Sequence, residues 1–123
     1  MLTFDEVGAI LDEIADSLPF ELYRELNGGI TLQPQIKIHP LAKNNDLFIL
    51  GEYRRDNLGR YVVIFYGSIM RVYGNQSKEK ICEKLREVLL HEVRHHNEFL
   101  AGDNDLVIYD KIQLANYLNR QNK

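Results

Sequence analysis

Residues 77–102 carry the longest helical pattern of the chain, SKEKICEKLREVLLHEVRHHNEFLAG. Ser77 is a preferred residue type at a helix N-cap, and a glycine such as Gly102 commonly follows the last helical turn. Between them, apolar residues recur every three or four positions from Ile81 to Leu100, which is the period of one buried helix face. The pattern predicts a long central helix that ends at Gly102.

The predicted helix contains the segment HEVRH at residues 91–95. Two histidines four residues apart leave the same face of a helix, so their imidazoles can bind one zinc ion. A carboxylate next to the first histidine is placed to take a proton from water bound to that ion. We therefore expect His91 and His95 to be zinc ligands and Glu92 to be the general base of a metallopeptidase.

The direction of these side chains supports that interpretation. With Val88 at the centre of the apolar face and about 100° per residue, His91 lies at about -60°, Glu92 at about +40° and His95 at about -20°. All three are then predicted to face the core, where a charge without a partner costs several kcal/mol. A metal ion would supply the compensation, whereas the alternative is a charged helix whose histidines meet solvent or carboxylates.

The N-terminal third predicts two helices. Residues 3–6, TFDE, form a capping-box pattern, and helical apolar spacing follows as far as Leu18. Pro19 then favours the start of a second short helix, which the Asn-Gly-Gly sequence at residues 27–29 would end.

The middle of the chain predicts strands. Residues 30–38 alternate between apolar and polar, as in a half-buried strand, and Pro34 suggests that this strand is bulged or lies at an edge. Residues 47–54 and 61–66 are expected to pair as a β-hairpin through the loop at residues 56–59.

The remaining segments complete an α+β fold. We expect residues 67–74 to be a connecting loop or a short helical turn, residues 103–109 to be irregular or extended, and a last helix to run from Asp110 to about Asn119. The prediction is one domain over residues 1–123, with helices packed on a small, mostly antiparallel sheet.

The composition argues against several classes of function. The 123 residues include 45% hydrophobic side chains, 15 basic and 18 acidic ones, which is ordinary for a globular protein and gives a net charge of -3. We expect no nucleic-acid partner, no membrane span and a cytoplasmic location. Cys82 is the one cysteine, and we expect it to behave as a small hydrophobe rather than as a nucleophile.

Several motifs together resemble the minimal zincins, a family of small bacterial zinc metallopeptidases. They are the Leu18-Pro19 step, LGEY at residues 50–53, a strand leading into Gly67, and HEVRHH at residues 91–96. The resemblance implies a compact zincin-like α+β domain with one zinc ion. It also implies the pattern HExxHxxGxxD, in which the glycine turns the chain and the aspartate is the third ligand. A tyrosine near the C-terminus is a further implied feature, and Tyr117 is its nearest equivalent in this chain.

The chain departs from that pattern after His95, where Glu98 replaces the glycine and Ala101 the aspartate. Glu98 lies about 7.5 Å along the helix axis from the midpoint of the histidines, too far for a direct bond, and is expected to be a hydrogen-bond partner of the site or a surface charge. His96 points about 100° away from His95 and is expected to be such a partner or a surface residue, not a ligand.

The third ligand is expected after the turn at Gly102, about 13 Å past the metal, a distance that an extended chain recovers in about four residues. Asp105 is near that reach and is the favoured ligand. If the turn uses several residues, Asp110 is the better candidate, and Asp103 ranks third. Each of them could instead be an ordinary turn or N-cap aspartate.

Three functions fit these residues. The first is a zinc metallopeptidase acting on a peptide or protein that pairs as an extra strand with a sheet edge. The second is a catalytically silent metal-binding or protein-interaction domain with the zincin fold, and the third is a zinc hydrolase with another substrate. Glu92 favours catalysis, because a structural zinc site closed by four ligands has no use for it.

Overall fold

Helices make up much of the computed structural model, which describes residues 1–102 of the chain. They are α1 (Phe4–Ser17), a 3-10 helix (Phe20–Tyr23), α2 (Tyr66–Tyr73) and α3 (Lys78–Leu100). The predicted caps are confirmed: Thr3 and Glu6 bond reciprocally at the start of α1, and the Ser77 hydroxyl accepts a hydrogen bond from the Lys80 amide. Gly102 follows α3 with a φ of 74°, as a helix-ending glycine requires.

The strands form two small sheets. They are β1 (Gly29–Gln33), β2 (Lys37–Ile38), β3 (Phe48–Ile49), β4 (Gly51–Asp56) and β5 (Gly59–Phe65). The larger sheet has the order β1-β5-β4, in which β4 and β5 form the expected antiparallel hairpin. Because β1 runs parallel to β5, this sheet is mixed, and the prediction of a mostly antiparallel sheet is corrected to that extent.

Two local predictions were wrong. Residues 30–38 do not form one strand, because β1 ends before Pro34 and β2 joins β3 in the second sheet. The helix expected after Pro19 is a single 3-10 turn, and Glu25 has a φ of 60°, which a helix cannot continue through. Residues 67–74 match the second of the two forms expected for them, because they lie largely within the short helix α2.

The core lies between one face of the larger sheet and the helices α1 and α3. Its fully buried side chains come from α1, from the larger sheet and from α3. They include Val7 of α1, Val62 and Ile64 of β5, and Leu85 and Leu89 of α3. The result is a small α+β domain in which α3 packs along β4 and β5. Within residues 1–102, no helix is both long and apolar enough to cross a membrane.

Candidate metal centre

The two histidines of the predicted zinc site converge. On α3 the Nε2 atoms of His91 and His95 lie 3.2 Å apart, with the imidazole planes at 84° to each other. Two nitrogens bound to one tetrahedral zinc ion, at bonds of 2.0–2.1 Å, would lie about 3.3 Å apart. The imidazole pair therefore fits one zinc ion, although the same distance also suits a hydrogen bond if one Nε2 carries a proton.

The burial of these residues corrects the predicted helix face. Glu92 is buried, with 8% of its surface exposed, whereas both histidines are only half-buried. The face that α3 buries is centred roughly 75° from Val88, at about 100° per residue. Its members are Ile81, Leu85, Leu89, Glu92, Val93 and His96. The histidines thus lie at the rim of the core, where part of their surface stays exposed.

The rim opens into a cleft of about 400 Å³ between α3 and β4. It is lined by Gly51, Glu52, Tyr53, Arg55, His91, Glu92 and His95. Glycine at position 51 lets the strand approach the helix, because an added Cβ would lie 2.8 Å from Val88 Cγ1 and 3.5 Å from Glu92 Cγ. The cleft therefore has its general-base candidate on one wall and an edge strand of the sheet on the other.

Behind the cleft, His96 is fully buried and bonded on both sides. Its Nε2 lies 2.6 Å from the carbonyl oxygen of Arg24, and its Nδ1 lies 2.6 Å from the Tyr53 hydroxyl. A carbonyl can only accept, so Nε2 carries the proton and, in the neutral imidazole, Nδ1 accepts from Tyr53. Burial raises the pKa of Tyr53 above its ordinary value, which keeps that hydroxyl protonated.

His96 is thus not a surface residue, which was one of the two roles expected for it; its partner in the cleft wall is Tyr53. Asn97, the next residue, makes a second bond to the segment that contains Arg24. Its side-chain amide donates to the Leu22 carbonyl at 2.9 Å. Together these bonds attach the 3-10 segment to the C-terminal half of α3. Glu98 accepts a hydrogen bond from Arg94 at 3.0 Å, which agrees with the expected surface charge.

The candidates for the third ligand lie outside the described residues. Asp103, Asp105 and Asp110, like Tyr117, follow residue 102. Among residues 1–102, no three His, Cys, Asp or Glu side chains are grouped in a way that could hold a metal ion. The described part of the chain thus contributes two imidazoles, and the choice between Asp105 and Asp110 remains a prediction.

Sequence reasoning did not assign the β4 residues of the cleft to the site, among them Tyr53 and Arg55. Both follow Gly51 at intervals of two, so the alternation of a strand puts all three on one face of β4. The Arg55 guanidinium carbon lies 3.9 Å from the centroid of the Phe99 ring. The alternation was visible in the sequence, but nothing in it indicated that this face of β4 lies against α3.

No protein-family model matches the chain, and no curated protein matches it significantly. Among solved structures, the chain is similar to a conserved hypothetical protein from Thermo thermophilus, with a TM-score of 0.70 and 28% sequence identity. The match covers 81% of this chain and 98% of the other. The shared fold thus extends over most of the chain described above.

Proposed function

We propose that this protein is a zinc-dependent metallopeptidase. His91 and His95 would hold the ion together with an aspartate of the C-terminal segment, Asp105 or Asp110. The observation that supports the proposal most directly is the 3.2 Å separation of the two Nε2 atoms beside a buried carboxylate. The zincin-like resemblance of the sequence and the α3–β4 cleft agree with it.

A zinc ion at this position would supply a Lewis acid for a substrate carbonyl and would lower the pKa of water. Glu92 would take the proton of the attacking water and return it to the amine that leaves when the peptide bond breaks. Its burial on the cleft wall leaves the carboxylate little conformational freedom, which supports a fixed position for the base in the cleft that both histidines line.

The substrate would be a peptide in extended conformation. Within the described sheet β4 is hydrogen-bonded to β5 on one side and forms the edge on the other. An edge strand offers backbone amides and carbonyls to a further strand, and β4 lies along the cleft that contains both histidines. Pairing of this kind would lay a peptide bond across the histidine pair.

Metal content is the first test. Protein purified without a histidine tag is supplied with zinc, dialysed and assayed by elemental analysis, in parallel with His91→Ala, Asp105→Ala and Asp110→Ala. We expect about one zinc per chain in the wild type, loss in His91→Ala, and loss in one of the two aspartate variants. His39→Ala is the matched control, since His39 is not part of α3 and its ring accepts a bond from the nearby Leu41 amide.

The second measurement is hydrolysis of a mixed peptide digest by the zinc-loaded protein, followed by mass spectrometry. New cleavage products that disappear with a chelator and return with zinc would support the peptidase. Stoichiometric zinc without any cleavage would favour the catalytically silent domain instead. A wild type that binds no zinc would overturn both.

A further inference from the structure

We propose that Arg55 forms a carboxylate-binding subsite at one end of the cleft, so that the substrates are peptides with a carboxylate two or three residues from the cleaved bond. This inference rests on the proposed peptidase function and specifies the substrate class for the same site. It starts from two observations about the Arg55 guanidinium, its neighbours and its charge environment, and from an estimate of its distance from the histidines along α3.

The guanidinium is held by aromatic rings. Its carbon lies 3.9 Å from the centroid of Phe99 and 6.0 Å from that of Tyr53. Stacking on a ring face restricts the side chain but uses none of its five N–H donors. Phe99 is 41% exposed, which is unusual for a residue of the predicted apolar face, and it covers Arg55 on the side of α3. The rings thus orient the cation without using its donors.

Arg55 differs from the neighbouring Arg54 in its charged partners. Arg54, on the opposite face of β4, donates to Glu52 at 3.2 Å. Asp56 is bonded to the Tyr61 hydroxyl and to the Leu58 amide. Within the part of the chain that the structure describes, Arg55 has ring contacts and no carboxylate partner. A carboxylate from a ligand would satisfy its donors in a bidentate geometry.

The position of Arg55 along the cleft determines how many residues separate the cleaved bond from the bound carboxylate. Phe99 is six residues beyond the midpoint of His91 and His95, or about 9 Å along the helix axis. A peptide extended along β4 advances about 3.4 Å per residue. Its carboxylate would therefore belong to the second or third residue from the cleaved bond, either as an Asp or Glu side chain or as the chain terminus.

The test compares matched peptides. A peptide cleaved in the mixed digest is synthesised with Glu or Gln at each position within three residues of the cleaved bond, and with a free or an amidated C-terminus. At one position the wild type should cleave the acid form with a kcat/KM about tenfold higher, and the preference should fall with added salt. The position of the effect tells a side-chain carboxylate from a terminal one.

Variants connect the preference to Arg55. Arg55→Gln should cleave both forms at the rate of the amide, and Arg55→Lys should keep only part of the preference because it loses the bidentate fork. Arg54→Gln, which removes the same charge from the other face of β4, should keep the preference. Equal rates for acid and amide in the wild type, or an unchanged preference in Arg55→Gln, would overturn the subsite.

Failure of the proposed peptidase function can be distinguished from failure of the Arg55 subsite. If no peptide is cleaved, the subsite is tested by binding, with acetyl-glutamate amide and acetyl-glutamine amide as probes and the Arg55 side-chain Nε–H signal as the NMR readout. A saturable shift with the acid alone would support the subsite without hydrolysis. No shift with either compound would remove it.

Discussion

The Tyr53 hydroxyl lies 2.6 Å from Nδ1 of His96, and the Arg24 carbonyl lies at the other nitrogen of the same imidazole. The first contact joins the cleft strand β4 to α3, the helix that bears His91, Glu92 and His95. Since His96 has no exposed surface, either nitrogen left without a partner would be buried. This pair therefore sets how closely the strand and the helix approach each other.

Removing the hydroxyl tests that contact. Tyr53→Phe leaves Nδ1 of His96 without a donor, and we expect a loss of about 1–3 kcal/mol in the free energy of unfolding, measured by denaturant titration. Tyr61→Phe is the matched control, because it removes a surface hydrogen bond to Asp56 and should change stability by less than about 0.5 kcal/mol. Equal effects of the two variants would contradict a structural role of the Tyr53–His96 bond.

The proposed role of Glu92 as a base can be tested independently of zinc binding. Glu92→Gln preserves the shape of a buried side chain but removes the base, so kcat should fall by about 10²–10⁴ while zinc content stays that of the wild type. Glu83→Gln, an exposed change on the same helix, should leave both unaffected. Unchanged turnover in Glu92→Gln would exclude Glu92 as the general base.

Two glycines should respond in opposite directions to alanine. At Gly51 a methyl group would lie 2.8 Å from Val88 and 3.2 Å from the Val63 carbonyl oxygen, so we expect a loss of about 1–3 kcal/mol and reduced hydrolysis as β4 moves away from α3. At Gly8, inside α1, the nearest atom would be 3.9 Å away, and the gain in helix propensity should stabilise the protein by about 0.5–1 kcal/mol. Thermal melts and peptide assays of both variants check this.

Acid should weaken the ion-pair cluster around Glu52. Burial raises the pKa of this carboxyl, but bonds from Lys37 and Arg54 lower it more, so that the folded-state pKa lies below the ordinary 4.5. The stabilisation is therefore complete above about pH 4.5 and is lost as the pH falls through the folded-state value. The melting temperature of the wild type should exceed that of Glu52→Gln near neutral pH, and the difference should shrink towards pH 3.

A neutral substitution elsewhere provides the control for that titration. Asp12 is exposed on α1, and Asp12→Asn should melt close to the wild type at each pH. A gap between wild type and Glu52→Gln that stays constant from neutral pH to pH 3 would show that the cluster does not depend on the charge of Glu52.

The elements that the sequence predicted best are those with local signals. Thr3 and Ser77 cap their helices as the patterns indicated, and the β4–β5 hairpin follows from two alternating runs and a short loop. The convergence of His91 and His95 is also local, since four residues make about one helical turn. These predictions needed no knowledge of the rest of the fold.

What the sequence could not predict depends on distant contacts. Helix α2 contains Gly67 and Ser68, poor helix formers, yet the Ser68 hydroxyl is buried and accepts from the Lys37 amide at 2.8 Å. A methyl group at Gly67 would lie 2.7 Å from the backbone of Gln35, so both residues allow close packing against the segment before β2. The parallel pairing of β1 with β5 and the approach of Arg55 to Phe99 likewise join residues far apart in sequence.

The bonds from His96 and Asn97 to the carbonyls of Arg24 and Leu22 have a consequence for local opening. The segment between α1 and β1 has only one 3-10 turn of its own, so part of its stability comes from the helix it is attached to. If the last turns of α3 unwind, both attachments are lost at once. Hydrogen exchange should therefore show the amides of residues 20–26 opening together with the C-terminal turns of α3, as one cooperative unit.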